Sequence, residues 1–209
     1  MMTTDELAYQ ANTYRLVAQL LRYPTPDLKQ GIQEARSLFF ENSEEFRMLY
    51  LMDQCVLAKD ADMLNLEIDY AALFIGSLTM LAPPYASYYL DGNYQLGGPS
   101  TVAIEREYRR CGLALKSDRK QPGDHLATML EFLFDLLRQV VIRNKRSLEN
   151  EARVFFQTYL QDWICDFCDL IKVHAQTRFY AVLSEFLPLV LLSDSLLLDN
   201  EEAAETYCY

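Results

Sequence analysis

Histidine is nearly missing from this chain of 209 residues: His125 and His174 are the only two. A metal centre built from several imidazoles, or an acid–base site with a histidine to spare, has too little raw material here. Basic residues are short as well, nineteen Lys plus Arg against thirty Asp plus Glu, for a formal charge of −11. A deficit of that size argues against nucleic acid as the main partner, because phosphate contacts need clustered Lys and Arg. Glycine and proline number only seven each, and no alternating run of β-branched residues reads as a strand. The start, Met1-Met2-Thr3-Thr4-Asp5-Glu6-Leu7, lacks the basic and apolar regions of a signal peptide. The most apolar stretch, 186–198, is broken by Pro188, Ser193, Asp194 and Ser195 and is too short to span a bilayer. The five cysteines, Cys55, Cys111, Cys165, Cys168 and Cys208, are odd in number and too sparse for a disulfide scaffold. These absences predict a cytoplasmic protein with reduced thiols that does not cross a membrane, and they tilt from catalysis toward binding.

What is present is helical. Apolar residues make up 51 % of the chain, enough for one domain with its own core. Leu126, Met129, Leu130, Leu133, Leu137 and Val140 recur at three and four residues and share one face of a long helix, with Asp124, Thr128, Glu131 and Asp135 on another. Leu64, Ile68, Ala71, Ala72 and Ile75 make one stripe and Leu66, Tyr70 and Leu73 a second, which predicts a helix buried between neighbours. Thr25-Pro26 reads as an N-cap with proline following, Asn42 with Glu45 as a capping box, and Gly112 as a left-handed C-cap. The pattern predicts an all-α, single-domain bundle over 1–209 with about eight helices, near 5–22, 27–40, 43–58, 61–75, 100–111, 122–144, 148–174 and 178–193. A long tyrosine-rich loop, 76–100, interrupts it, as does a charged stretch at 116–121 that reads as a hinge.

Several constellations have two readings each. Cys165 and Cys168 form a lone C-x-x-C, short of zinc ligands and of a βαβ context, and read first as core cysteines one helical turn apart. Gly97-Gly98-Pro99-Ser100-Thr101 opens a helix, as a cap-and-turn or as an anion cradle, but without the lysine of a P-loop. Pro122-Gly123-Asp124-His125 reads as a helix start, with His125 placed to pair with a carboxylate such as Glu131 or a loop backbone group, or with a serine in a nucleophile–base pair. Tyr70 to Gly76 followed by Pro83-Pro84-Tyr85-Ala86-Ser87-Tyr88 would alone be a buried helix and its exit loop.

Taken together and in order, these motifs change the reading. The Tyr70-x-x-Leu73-Phe74-x-Gly76 run, the Pro83-Pro84-Tyr85-x-Ser87-x-Tyr89 run, the Gly98-Pro99-Ser100-Thr101 helix start and Pro122-x-Asp124-His125 followed by Leu130-Glu131-Phe132 resemble the TorD/DmsD family. That family comprises cytoplasmic maturation chaperones of exported molybdoenzymes. Trp163 and Phe179-Tyr180 are a third, weaker match, and the resemblance spans about 10–190. Two departures stand out: Asp162-Trp163 and Arg178-Phe179-Tyr180-Ala181 stand where the family often has Pro-Trp and Pro-Phe-Tyr-Arg near the C-terminus, and tyrosines replace the tryptophans common in the loop of the DmsD branch.

The resemblance implies an all-helical fold without a reaction of its own. It implies binding of the twin-arginine signal peptide, and of the apo-form of a molybdoenzyme, until the cofactor is inserted and export follows. Carried residue by residue, the signal-peptide-binding candidates are Tyr70, Leu73, Phe74, Pro83, Pro84, Tyr85, Ser87, Tyr88, Pro122, Asp124 and His125, with Gly76 and Glu131 as structural support. No catalytic residue, metal or cofactor is implied, weak guanine-nucleotide binding being the one exception raised for the family. The expected geometry is a groove with Leu73, Phe74, Pro84 and Tyr85 as its apolar wall and Asp124 and His125 as its polar end, suited to an apolar helix and its arginines. The competing classes are a nucleotide hydrolase using 97–101 and a structural subunit of a respiratory assembly. A monomer, or a dimer exchanging helices at the 116–121 hinge, is expected.

Overall fold

The computed structural model describes residues 2–56, 60–76, 79–92, 94–113 and 122–192, with the side chains of 60–62 left aside. Among the described residues the regular structure is helical throughout: α1 (Thr4–Leu20), α2 (Leu28–Ala35), α3 (Glu44–Cys55), α4 (Asp60–Tyr70), α5 (Ala86–Leu90), α6 (Pro99–Arg110), α7 (Leu126–Arg143), α8 (Ser147–Tyr159), α9 (Ile164–His174) and α10 (Arg178–Leu192). A 3-10 turn (Arg36–Leu38) extends α2, and a π-helical turn (Ala71–Ile75) extends α4. The 116–121 hinge lies outside the described residues, and so does Cys208.

The centre is α7. Its row Leu126, Met129, Leu130, Leu133, Leu137 and Val140 is buried along its whole length, and Phe132 and Leu136 bury a second side. Helix α1 lies along one flank and α8 along the other. Each fully buried leucine contributes about 2 kcal/mol of transfer free energy, so this seam is the main apolar contribution to the bundle. Helix α1 starts cleanly: Thr3 Oγ1 accepts from Glu6 N–H and the Glu6 carboxylate takes the Thr3 N–H in return, at 3.2 and 2.7 Å. Helix α10 packs on α9 and α3 and closes the bundle.

Three expectations need correction. The helix expected over 148–174 is two, because Leu160 and Trp163 turn inward and bury. Trp163 Nε1 donates to the Tyr159 carbonyl at 2.7 Å and its ring stacks on Tyr89 at 4.9 Å; this tertiary contact breaks a helix that holds neither glycine nor proline. The second correction is at α4, which is buried on one side only: Leu66 and Tyr70 face the core, whereas Leu64, Ile68 and Ile75 stand in solvent. Third, two caps shift. Ser43 rather than Asn42 caps α3, accepting from Phe46 N–H at 3.2 Å, and the helix after Thr25-Pro26 begins only at Leu28. Gly112 does adopt the left-handed conformation after α6, at φ 77°. Cys168, one turn on from Cys165, is a free thiol in the core whose ionisation burial pushes up.

An aromatic layer ties α4 to the C-terminal helices. Tyr70 meets Phe74 at 5.1 Å and Tyr23 at 5.4 Å, edge to face, and Phe74 meets Tyr180 at 5.5 Å. Asp69 clasps the same region: its buried carboxylate accepts from the Gln176 and Thr177 backbone N–H groups and from the Thr177 hydroxyl, at 2.7–3.2 Å. Burial pushes the Tyr70 phenol up to about 12 from an ordinary 10, and pushes Tyr89 and Tyr180 up further. A pKa raised on folding means that stability is complete below pH 10 and is lost as pH rises toward the folded value. Alkaline titration followed by tyrosinate absorbance and circular dichroism together should therefore show these three phenols ionising only as helicity falls, above about pH 11. Ionisation of all fourteen tyrosines with the helices intact would contradict the burial.

Candidate functional site

The π turn that ends α4 sets the course of the chain into the site. Its terminal carbonyls find donors close by: Gly76 N–H gives to Ala71 O at 2.7 Å, Leu81 N–H to Ala72 O at 3.3 Å and Ala82 N–H to Leu73 O at 2.8 Å. Gly76 turns at φ 63°, and a Cβ there would lie 2.5 Å from the backbone of Thr79 and 2.6 Å from Met80 N. The reversal brings Pro83 and Pro84 back over the bundle, where Tyr89 donates its hydroxyl to the Pro83 carbonyl at 3.0 Å.

Residues 84–87 then meet residues 124–126, and two helix starts complete each other. Tyr85 and His125 form an isolated antiparallel bridge. Leu126 N–H, at the start of α7, donates to the Pro84 carbonyl at 2.8 Å; Ala86 N–H, at the start of α5, donates to the Asp124 carbonyl at 3.1 Å. The Asp124 carboxylate caps α5 through Oδ2, which accepts the Ser87 N–H at 2.8 Å. His125 is the N-cap of α7, its Nδ1 accepting the Ala127 N–H at 3.1 Å, and its ring takes Tyr85 edge-on at 5.1 Å. The floor is held by Tyr108, whose hydroxyl donates to the Gly123 carbonyl at 2.9 Å, and Ser87 Oγ accepts from Gly97 N–H at 3.2 Å.

Tyr70, Leu73, Phe74, Pro83, Pro84, Tyr85, Ser87, Asp124 and His125 are thus brought to one end of α7, and all of them are buried. Among the described residues no open groove is formed by the expected set: Leu73, Phe74, Pro84 and Tyr85 form no exposed wall, and Asp124 is buried. Its Oδ1 is buried without a hydrogen-bond partner. Tyr88 and Pro122 are half-exposed, and Tyr88 meets Tyr89 and the exposed Tyr94 ring at 5.0 and 5.2 Å. Pro122 lies ahead of α7 rather than in its first turn. Glu131 does not pair with His125; it reaches across the α1–α7 seam to Arg22. His125 Nδ1, occupied by the α7 backbone, is closed to a role as base.

The helix start at 97–101 carries its own anion. Ser100 N–H donates to Asp91 Oδ1 at 3.1 Å, and the Ser100 hydroxyl donates to the same oxygen. A carboxylate from the preceding loop thereby takes the Ser100 amide at the helix start that the sequence offers to an anion. Among the described residues no group of three His, Cys, Asp or Glu is placed to hold a metal ion, and no helix is long and apolar enough to cross a membrane. Asp69, Asp91 and the Tyr89–Trp163 stack escaped the sequence reading. The first two are single acids next to motif residues, and only a fold shows which amides they cap.

Residues 25–169 match the family described as nitrate reductase delta subunit. The chain is 29 % identical over 189 residues to a protein named chaperone protein TorD from Shewanella loihica, across 84 % of this chain and 86 % of that one. It is 30 % identical over 145 residues to a TorD chaperone of Aliivibrio salmonicida, across 66 % of each. A protein named Tat proofreading chaperone DmsD from Salmonella typhimurium is 30 % identical over 119 residues, 57 % of this chain and 55 % of that one. In fold, a crystal structure described as a redox enzyme maturation protein from Archaeoglobus fulgidus superposes with a TM-score of 0.55 over 86 % of this chain and 93 % of that one, at 20 % identity.

The tight approach at Gly76 supplies a test of how the site is positioned. Gly76→Ala should cost about 3 kcal/mol or more, combining a left-handed φ with a backbone clash. A midpoint of denaturant unfolding within error of the parent's would contradict the turn described.

Proposed function

The chain belongs to the nitrate reductase delta subunit family, which includes the TorD and DmsD chaperones, and from that premise we propose that it binds the twin-arginine signal peptide of an exported molybdoenzyme. It is a maturation chaperone and not an enzyme. In this reading the protein works in the cytoplasm, holds the apo-form of its client while the molybdopterin cofactor is inserted, and releases it for export. The observation that carries the reading is the meeting of the motifs: Tyr70 to Gly76, Pro83 to Tyr88 and Pro122 to His125 lie far apart in sequence and are joined at one end of α7.

The chemistry supports it. A twin-arginine leader has a basic start followed by an apolar, helix-prone stretch. A protein with a formal charge of −11 surrounds itself with a field that draws such a peptide in. Tyr88 and Tyr94 at the rim offer aromatic faces and hydroxyls to it. The fully buried residues of the motifs act in this reading as the frame that fixes the surrounding surface, and Tyr88 and Pro122 are their accessible edge. Asp124, with one oxygen on Ser87 and the other unpaired in the interior, anchors the frame.

Isothermal titration with the leader peptide of a candidate client is the test. Binding is expected, with an affinity that drops several-fold when ionic strength is raised tenfold, since the Debye length shrinks from about 10 Å at 0.1 M to about 3 Å at 1 M. Absence of binding to the leaders of every exported molybdoenzyme in the same cell would overturn the reading.

A further inference from the structure

Tyr94 stands in the loop between α5 and α6, and that loop is closed twice behind it. Ser100 N–H donates to Asp91 Oδ1 at 3.1 Å, and Gly97 N–H donates to Ser87 Oγ at 3.2 Å. The backbone of Tyr94 is left-handed, at φ 54°, a conformation that a bulky residue adopts only against strain. Such strain is held at places where a side chain has a task. Here it presents an aromatic ring that stays 71 % exposed.

Behind Tyr94 the rings run inward as a chain. Tyr94 meets Tyr88 at 5.2 Å with the planes inclined at 60°, so neither ring lies flat on the other. Tyr88 meets Tyr89 at 5.0 Å, and Tyr89 stacks on Trp163. The inner two are anchored by hydrogen bonds, Tyr89 on the Pro83 carbonyl and Trp163 on the Tyr159 carbonyl. The outer two therefore rest on a fixed base.

Trp163 also brings acids to these rings. Asp162 precedes it and Asp166 follows three residues on; both are exposed at the start of α9, and among the described residues neither is held in an ion pair. Asp166 is close enough to be felt by the inner rings: burial first, then Tyr88, Cys168 and Asp166, push the Tyr89 phenol above its ordinary value. The two segments joined by the Tyr89–Trp163 stack, 83–100 and 160–169, contain no Lys or Arg. Aromatic faces with free carboxylates beside them suit a planar cation, a guanidinium, and repel a phosphate or a carboxylate.

We propose that Tyr88 and Tyr94 form a ledge that reads the arginine pair of the leader, a guanidinium lying flat on a tyrosine ring, and that the ledge selects arginine over lysine at equal charge. The inference rests on the leader-binding reading above and adds which residues read which part of the peptide. The formal charge of −11 attracts both kinds of cation. An ammonium is compact, strongly hydrated and has no plane to stack, so the rings, and not the charge, tell the two apart.

The test is fluorescence anisotropy on the full chain with two labelled synthetic peptides that share one apolar, helix-forming stretch, one headed by two arginines and the other by two lysines. The parent should bind the arginine peptide about fivefold more tightly at the same ionic strength. Tyr94→Gly removes the ring at a φ that glycine adopts freely; it should weaken the arginine peptide about threefold and leave the lysine peptide nearly unchanged. Tyr94→Phe keeps the aromatic face and should behave as the parent, whereas Tyr88→Ala added to Tyr94→Gly should abolish the preference. Equal binding of the two peptides by the parent overturns the proposal and leaves the leader-binding reading standing. So does an equal loss of both peptides in a Tyr94→Gly variant that unfolds at the parent's denaturant midpoint, or a Tyr94→Phe variant as weak as Tyr94→Gly. Failure of the parent chain to bind either peptide or any authentic leader overturns that reading and the proposal with it. Gel filtration covers a second copy as occupant: a dimer of the parent that Tyr94→Gly dissociates, with the arginine preference unchanged, also overturns the proposal.

Discussion

Two helices in this protein cannot start without each other. The first amides of any α-helix lack partners within the helix, and at the start of α7 and α5 they are supplied crosswise. Pro84, which has a carbonyl but no N–H to give, accepts from Leu126, and Asp124 accepts from Ala86 and Ser87 through its carbonyl and its carboxylate. Because the join is buried, each unmade bond would leave a desolvated polar group at a cost of about 1–3 kcal/mol. The tyrosine-rich loop is ordered by this exchange. The turn at Gly76, the Tyr89 hydroxyl on Pro83 and the Trp163 stack all follow from where the join holds the chain.

From the join outward, the motifs behave as a frame. Tyr70, Phe74 and Tyr180 pack as one aromatic layer, and Asp69 fastens that layer to the loop before α10. An aspartate near the C-terminal end of α4 opposes the dipole of its own helix, but it lies at the N-terminal end of α10, where the same charge is favourable. A local penalty is thus offset by a tertiary contact. The residues most diagnostic of the family are for the same reason the least accessible ones, and what they present to the surface is a fixed outer side of α4 and a tyrosine rim.

Much of this fold was legible in the sequence, and the failures share a cause. The α7 row was legible because six apolar residues at helical spacing leave one solution. Gly112 was legible because few residues tolerate a positive φ. The break between α8 and α9 was not, because no residue of 160–163 is a helix breaker and the break depends on where Trp163 finds its partner. Periodicity showed two apolar stripes on α4 but could not say that Leu64, Ile68 and Ile75 of one stay exposed. The motif residues do meet in space, yet spacing along the chain carries no information about depth. An acid expected at the mouth of a groove, Asp124, is therefore the most enclosed charge of the join. Asp91 was missed in the same way: the amides at 97–101 were legible as an anion site, and the carboxylate that fills them comes from another part of the loop.

The central claim is that the motifs build a closed frame and that a leader is received on its outside. A crystal structure of the chain with a bound leader peptide tests it most directly. The account predicts the peptide on the outer surface against the rim of Tyr88 and Tyr94, with Leu126 still bonded to Pro84 and Ser87 to Asp124. A peptide lodged between Tyr85 and His125, with those bonds broken, would contradict it.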